Sequence, residues 1–286
     1  SDFATMRSPD PVEATIHSRS ALIPVEMLAS KNGSHWSHSL PVENGNLRFA
    51  LLTPGVNNWS VSLTSPNGEK INADATAKRG KGSSFGIGGA QVPAELFSFE
   101  NISNGNWKID LHGNEKSASA GYLLLEGDGN TELASYATHS RQVVGQSLGI
   151  TASLSGVDFT GKALVGHDAG HIQRATLKVT SPDGSVSILP MFDDGLNSDG
   201  LAGDGLFGAD FNTKMAGNYV AQVTIEGKDR AGNRVIRTAE HLLPFVEPSI
   251  AITGDRAIAR TEKSAASRLM INIPVTAPKD ASHYRS

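Results

Sequence analysis

Short stretches of alternating apolar and polar residues, each ended by turn-forming residues, most constrain what this chain can fold into. Clear examples are Trp59–Thr64, Trp107–Leu111 and Tyr219–Ile225, in which every second residue is apolar. A period of two places apolar side chains on one face of a β-strand. Gly, Pro, Asn and Asp bound the runs at intervals of roughly 8–12 residues. The best helical pattern, Ala21 to Leu28, is short and interrupted by Pro24. The sequence therefore predicts an all-β chain with little helix.

An internal echo divides this pattern into two parts. Val61–Gly68 and Leu177–Gly184 are both alternating strands that end in Ser-Pro-Asn/Asp-Gly, a tight-turn sequence. Further along, Gly105–Trp107 and Gly217–Tyr219 both place Gly-Asn before an aromatic residue that opens a strand. Convergent hairpin chemistry could give either echo alone. Their shared order predicts tandem antiparallel β-sandwiches of the immunoglobulin or fibronectin type III kind.

The 286 residues suit two domains with extra segments at the ends. Arg268–Val275 reads as the first strand of a further module, and the chain stops at Ser286, so we expect a truncated third module. The predicted division is an N-terminal segment packed on module one (1–39), module one (40–140), module two (141–248) and a linker with the first strand of module three (249–286).

Composition narrows the partners and the compartment. The chain has 25 Lys plus Arg against 29 Asp plus Glu, a formal charge of −4, which gives no electrostatic case for nucleic acid. No stretch approaches the roughly 18 apolar residues of a membrane helix, so we expect no membrane insertion. There is no cysteine for disulfides or thiolate chemistry. The first methionine is Met6, and we expect a removed signal peptide and a secreted, extracellular or periplasmic location.

The most distinctive segment is an acidic loop at residues 193–205. Calcium takes about 6–8 oxygen ligands, and glycines let a chain wrap tightly enough to supply them. The spacing is not that of an EF-hand, because Gly195 and Leu206 fall where its first Asp and closing Glu belong. The alternative is a loop whose carboxylates cap their own backbone. The candidate ligands for Ca²⁺, the one cofactor considered, are Asp193, Asp194, Asn197, Asp199 and Asp204.

Candidate catalytic motifs are weak. Gly145–Gly149 matches the nucleophile-elbow string around Ser147, but an alternating strand follows it where that motif requires a helix. His167–His171 contains two histidines and Asp168, which are usable metal ligands by type, yet no helix is predicted to align them. Trp36, Trp59 and Trp107 could form a carbohydrate-stacking platform, although core packing is the better expectation. We therefore predict no catalytic residue.

The acidic loop also carries a family resemblance. Phe192–Gly195 followed by Asp199–Phe207 and Gly217–Val220 resembles a segment of choice-of-anchor-type and chloride-channel-accessory-type extracellular β-sandwiches. Around Trp59 and Trp107, module one is loosely similar to sandwiches that accompany secreted proteases. The whole arrangement looks like a domain-of-unknown-function family of Gram-negative secreted proteins, some exported by the type II route. The resemblance implies fold and location, and transfers no catalytic residue.

Three functions stay open on the sequence. The leading one is a secreted, non-enzymatic binding, adhesion or effector-type protein that presents loops on tandem modules to a host or cell-surface protein or glycan. The second is the non-catalytic accessory region of a secreted hydrolase such as a protease. The third is a metal-dependent enzyme that uses the His167–His171 region.

Overall fold

Strands make up almost all of the regular structure. The computed structural model describes residues 15–53, 59–72, 78–87, 90–114, 119–138 and 142–247, with short strands at 251–252, 258–261, 269–272 and 275–276. Within these residues the helical content is one 3₁₀ turn, Gly166–Asp168. No helix among them has the length and apolar character needed to cross a bilayer. The predicted all-β class with antiparallel sheets is confirmed.

The first sandwich is a continuous hydrogen-bonded path in the order β6-β5-β9-β3-β2-β10-β4-β8-β7. Strands β2 and β3 pair only over Leu28–Ser30 and Gly33–His35, so the path divides there into two layers. Its strands are β2 (Ser20–Ser30), β3 (Gly33–Val42), β4 (Leu47–Leu52), β5 (Trp59–Thr64), β6 (Lys70–Asn72), β7 (Lys78–Ile87), β8 (Ala90–Phe99), β9 (Gly105–Gly113) and β10 (Ser119–Glu126). The short strand that precedes them, β1 (Ile16–Ser18), belongs to the second sandwich.

The second sandwich has two sheets. One runs β1-β11-β12-β13, with β16 also paired to β12, and the other runs β15-β14-β17-β18. Alternate side chains of the two sheets meet in a core that includes Ile150, Leu177 and Val223. Its strands are β11 (Glu132–Ala137), β12 (Ser147–Val157), β13 (Ala163–Val165), β14 (Gly170–Thr180), β15 (Val186–Met191), β16 (Leu206–Asn212), β17 (Gly217–Asp229) and β18 (Arg234–Phe245).

The internal echo is a shared three-dimensional arrangement. β5 pairs with β9 in the first sandwich, and β14 pairs with β17 in the second. In the first, a Cβ on Gly105 would lie 3.0 Å from Pro66 of the Ser-Pro-Asn-Gly turn; in the second, a Cβ on Gly217 would lie 2.7 Å from Pro182. Glycine is required because each strand starts against the proline ring of the neighbouring turn. This shared close approach supports two related modules.

The segment predicted to pack on module one, residues 1–39, is described from residue 15 onward. Residues 20–39 form β2 and most of β3, both strands of the first sandwich. Ala21–Leu28, which carry the best helical pattern in the sequence, lie in β2 and alternate between core and surface, in agreement with the all-β prediction. β1 instead pairs with β11 of the second sandwich. This segment therefore contributes strands to both sandwiches.

The C-terminal segment is described only in short pieces. They are β19 (Ala251–Ile252), β20 (Ile258–Thr261), β21 (Leu269–Asn272) and β22 (Val275–Thr276), of which β19 pairs with β22 and β20 with β21. The strand predicted at Arg268–Val275 covers β21 and the start of β22. The other residues of 249–286 lie outside the described part of the chain.

Candidate functional site

The acidic loop connects β15 to β16, and Asp199 is its centre. The Asp199 side chain is buried, with Oδ2 accepting hydrogen bonds from the N–H groups of Asp194 (2.6 Å) and Gly195 (2.7 Å). Its Oδ1 accepts one from the N–H of Asn197 at 3.1 Å. Burial alone would raise the pKa of Asp199, but these donors lower it below its ordinary value. Asp199 therefore acts as an ionised brace for the first half of the loop.

Asp193 and Asp204 brace the second half. The carboxylate of Asp193 accepts hydrogen bonds from the N–H groups of residues 203–205 at 2.7–3.2 Å. Asp204 accepts from the N–H groups of Leu201 (3.1 Å) and Leu206 (2.9 Å). Below them, Phe192 and Gly208 close the base of the loop through two backbone hydrogen bonds of 3.0 and 2.8 Å. The loop is held by its own carboxylates.

This geometry bears on the predicted calcium ligands. Asp193, Asp199 and Asp204 direct their oxygens at backbone N–H groups, and an exposed fourth carboxylate, Asp194, accepts from the N–H of residue 196 at 3.1 Å. Asn197 takes part through its backbone N–H. Among the described residues, no group of three or more His, Cys, Asp or Glu side chains is arranged to hold a metal. Calcium binding stays a prediction, and the contacts support the alternative of backbone capping.

The braced loop presents two leucines to solvent. Leu196 is 79% exposed and Leu201 is 76% exposed. Both belong to an Asp-Gly-Leu tripeptide that recurs every five residues, beginning at Asp194, Asp199 and Asp204. In this repeat the aspartates accept hydrogen bonds from the backbone, whereas Leu196 and Leu201 project into solvent, so the repeat is a signal visible in the sequence. Interpreting the segment by its acidic residues alone missed the apolar ones.

One of the two candidate histidines, His167, lies against this loop. His167 Nε2 is 3.1 Å from the carbonyl oxygen of Gly203 and 3.9 Å from Asp193 Oδ2, while the His167 ring stacks on His171 at 5.7 Å between centroids. A neutral imidazole with its proton on Nε2 donates to that carbonyl. Asp168 is exposed in the 3₁₀ turn. The arrangement supports the loop, and the metal-dependent enzyme proposed for this region stays untested.

The other sequence candidates have structural explanations. Ser147 is the first residue of β12, and its motif leads into a strand where the nucleophile elbow has a helix. Trp59 is 6% exposed and Trp107 is 3% exposed, so the core interpretation of both is confirmed. Trp36 is half-buried and stacks on His38 at 5.4 Å. These tryptophans do not form a shared surface platform.

The two sandwiches meet at a junction that the chain crosses twice. The first crossing, between β1 and β2, is Arg19, and the second, between β10 and β11, is residues 127–131. The two crossings are bonded to each other, because the N–H of Gly127 donates to the carbonyl oxygen of Arg19 at 3.0 Å. The carboxylate of Asp128 accepts from three backbone N–H groups in residues 43–46 at 2.8–3.1 Å. A Cβ on Gly127 would lie 2.7 Å from the guanidinium of Arg237, so the second crossing needs glycine there.

A buried ion pair lies beneath these crossings. Arg237 of β18 has no exposed surface, and its Nη2 donates to Oε2 of Glu43 at 2.7 Å. Its other nitrogens donate to the carbonyl oxygens of Thr131 (3.0 Å) and Ile236 (2.9 Å). Nearby, the N–H of Leu22 donates to the Thr238 hydroxyl at 2.8 Å. β18 therefore belongs to the second sandwich, and the first half of the strand is bonded to the first sandwich.

Comparison with known families follows this division. Residues 20–125 match the model of the conditioned medium factor 1st Ig-like domain, and residues 131–245 match that of the conditioned medium factor 2nd Ig-like domain. The two modules are tandem Ig-like domains. The matched ranges cover β2–β10 and β11–β18 and leave out β1, which precedes the first domain yet pairs with the second, and the short strands β19–β22 after the second domain.

Individual proteins extend the comparison. Conditioned medium factor from Dictyostelium discoideum is 28% identical over an alignment of 298 residues, which covers 89% of this chain and 42% of that protein. The chain thus spans less than half the length of this curated relative. A DUF4785 family protein from Legionella pneumophila is 10% identical with a TM-score of 0.54, covering 83% of this chain and 66% of the other. The second likeness shows the fold alone.

Proposed function

We propose that the chain is a non-catalytic binding region of an extracellular protein, which recognises a cell-surface protein through the acidic loop of its second Ig-like domain. The observation that carries this proposal is the match to the first and second Ig-like domains of conditioned medium factor in the same order. The name of the Dictyostelium relative associates that protein with conditioned medium. Ig-like sandwiches commonly bind through loops at their ends.

The loop has the properties of a protein-binding contact. Three internal carboxylates, on Asp193, Asp199 and Asp204, fix its backbone, so that little conformational entropy is lost on binding. Leu196 and Leu201 contribute apolar area that the free chain leaves in water. Burying a leucine side chain is worth roughly 1.5–3 kcal/mol. The expected partner surface offers apolar pockets, with basic groups around them to match the loop carboxylates.

The sequence also predicts a Gram-negative source, export by the type II route and an adhesion role. The comparisons do not test these three predictions, and they are not part of this proposal. The alternative of an accessory region of a secreted hydrolase also stays a prediction, since the chain spans only part of its relative.

Cell-surface binding tests the proposal. The chain, labelled with a fluorophore, is titrated onto cells of the organism that encodes it and measured by flow cytometry. We expect saturable binding that weakens about tenfold or more in the double variant Leu196→Ser/Leu201→Ser. The matched control is Leu242→Ser, because Leu242 is 69% exposed on a sheet face away from the loop. Equal binding by the loop variant and the control, or no saturable binding at all, would overturn the proposal.

A further inference from the structure

An open cleft of about 400 Å³ lies between the two Ig-like domains, a size in the range of ligand sites, roughly 300–1,000 Å³. One wall comes from the first domain and the second chain crossing, with Asn44 and Asn130 at the rim. The other wall comes from the second domain and carries Phe159 and Arg230, with Leu164 at the base. The buried Arg237–Glu43 pair joins the two walls.

Two matching turns form the second wall. The turn at 158–162 is braced by Asp158, which accepts from the N–H groups of Thr160 (2.8 Å) and Lys162 (2.9 Å). The turn at 229–233 is braced by Asp229, which accepts from the N–H of Asn233 at 2.8 Å and from its side-chain amide at 3.0 Å. Phe159 and Arg230 each follow the bracing aspartate directly. The two turns therefore present an aromatic ring and a guanidinium from equivalent positions.

Phe159 has no folding role that its surroundings explain. It is 99% exposed, although burying such a side chain is worth roughly 1.5–3 kcal/mol. It lies on a braced turn, and the neighbouring carboxylate of Asp158 is also near Arg230, whose charge helps to lower its pKa after the larger effects of Thr160 and Lys162. An uncovered aromatic ring on a braced turn, beside polar side chains, is suited to stack on a ligand.

The charge of the cleft limits the ligand class. Its described lining includes four carboxylates, those of Glu43, Asp128, Asp158 and Asp229, and one guanidinium, Arg230. Each carboxylate already accepts hydrogen bonds from the protein. The carboxylates outnumber the guanidinium and therefore repel an anionic ligand. The neutral amides of Asn44 and Asn130 and the guanidinium are the exposed polar groups at the rim.

We propose that this cleft binds a neutral oligosaccharide, with a sugar ring stacked on Phe159 and its hydroxyl groups bonded to Arg230, Asn44 and Asn130. The apolar C–H face of a pyranose matches the phenyl ring, and paired hydroxyls match the donors of a guanidinium or an amide. The inference rests on the proposed role as a binding region but not on the acidic loop, and it adds a second ligand at a separate surface.

Saturation-transfer NMR and calorimetry test the cleft with mannotetraose, cellotetraose and chitotetraose as neutral probes and tetragalacturonate as the anionic probe. We expect at least one neutral probe to bind with Kd below about 10 mM, and tetragalacturonate to bind more weakly. Phe159→Ala should abolish that binding and Arg230→Ala should weaken it about tenfold. Leu242→Ala is the control, because Leu242 is also exposed (69%) and belongs neither to the cleft nor to the acidic loop. Because Phe159 is fully exposed, its variant is expected to fold normally.

Three outcomes would overturn the cleft proposal: no neutral probe binds, tetragalacturonate binds better than the neutral probes, or Phe159→Ala binds as the wild type does. The double variant Leu196→Ser/Leu201→Ser keeps saccharide binding if the two surfaces are separate. If the wild-type chain binds cells but no saccharide, the cleft proposal fails and the loop proposal stands. If the wild-type chain binds a saccharide through Phe159 but does not bind cells through the acidic loop, the loop proposal fails and the cleft proposal stands.

Discussion

Replacing Arg237 by Met should lower the free energy of unfolding by about 3–5 kcal/mol. The structure supplies the reason: Arg237 donates to Glu43, Thr131 and Ile236, and both charged side chains are at most 2% exposed. Methionine fills much of the aliphatic volume but leaves the Glu43 carboxylate buried without its cation. Most of the cost is therefore the unpaired charge at the junction between the domains.

The assay is urea denaturation followed by tryptophan fluorescence, which reports on the buried Trp59 and Trp107, together with circular dichroism for both domains. The matched control is Arg48→Met, since Arg48 and Glu126 form a 3.6 Å ion pair whose side chains are 48% and 60% exposed. An exposed pair of this kind is worth about 0–1 kcal/mol. Arg237→Met should therefore cost several times more than Arg48→Met.

A double-mutant cycle makes the reasoning refutable. With Glu43→Gln present, Arg237→Met leaves no buried charge, so the double variant should be more stable than the sum of the single losses by about 2 kcal/mol. Additive losses, or a cost for Arg237→Met no greater than for Arg48→Met, would show that the buried pair does not hold the junction.

Three further predictions concern acid stability, metal binding and the second chain crossing. Burial lowers the pKa of His241 from 6.5 to about 4, so as the pH falls the unfolded chain takes up a proton before the folded chain does. The free energy of unfolding should therefore be highest above about pH 6.5 and should fall by about 3 kcal/mol towards pH 4. Urea melts at several pH values should show a smaller fall in His241→Gln, and equal falls would refute this. Because the acidic loop carboxylates cap their own backbone, calcium should leave the melting temperature unchanged relative to chelator; a rise would support the calcium prediction. Gly127→Ala should lower the free energy of unfolding by roughly 1–3 kcal/mol, because its Cβ would press on Arg237. A stability equal to that of the wild type would contradict the crowding.

The architecture could be predicted where the signal is local. Alternation in Trp59–Thr64 and Tyr219–Ile225 follows from burying one face of a strand, and the observed burial patterns agree. The Ser-Pro-Asx-Gly turns were predictable because proline and glycine restrict the backbone at known positions. β2 was harder, because Pro24 disfavours a central strand, but at Pro24 the strand pairs only with β10, opposite Tyr122, and reaches β3 only from Leu28 onward.

The candidate sites needed the fold. The pairing of Arg237 with Glu43 joins residues 194 positions apart, and no local pattern marks either partner. Phe159 and Arg230 become neighbours of one cleft only when both turns of the second domain meet the first domain. The acidic loop was found from its composition, but the exposure of its leucines depends on which oxygen accepts from which N–H. Long-range contacts of this kind leave no signature in one sequence.

The proposed cleft exists as described only if the junction holds the two Ig-like domains in one arrangement, and a distance measurement tests this most directly. The chain has no cysteine, so Ser60→Cys in the first domain and Ser187→Cys in the second, both at exposed positions, allow one spin label in each. Double electron–electron resonance on this pair should give a single narrow distance distribution that broadens in Arg237→Met. A broad distribution in the otherwise unaltered chain would show that the domains move independently, which contradicts the account.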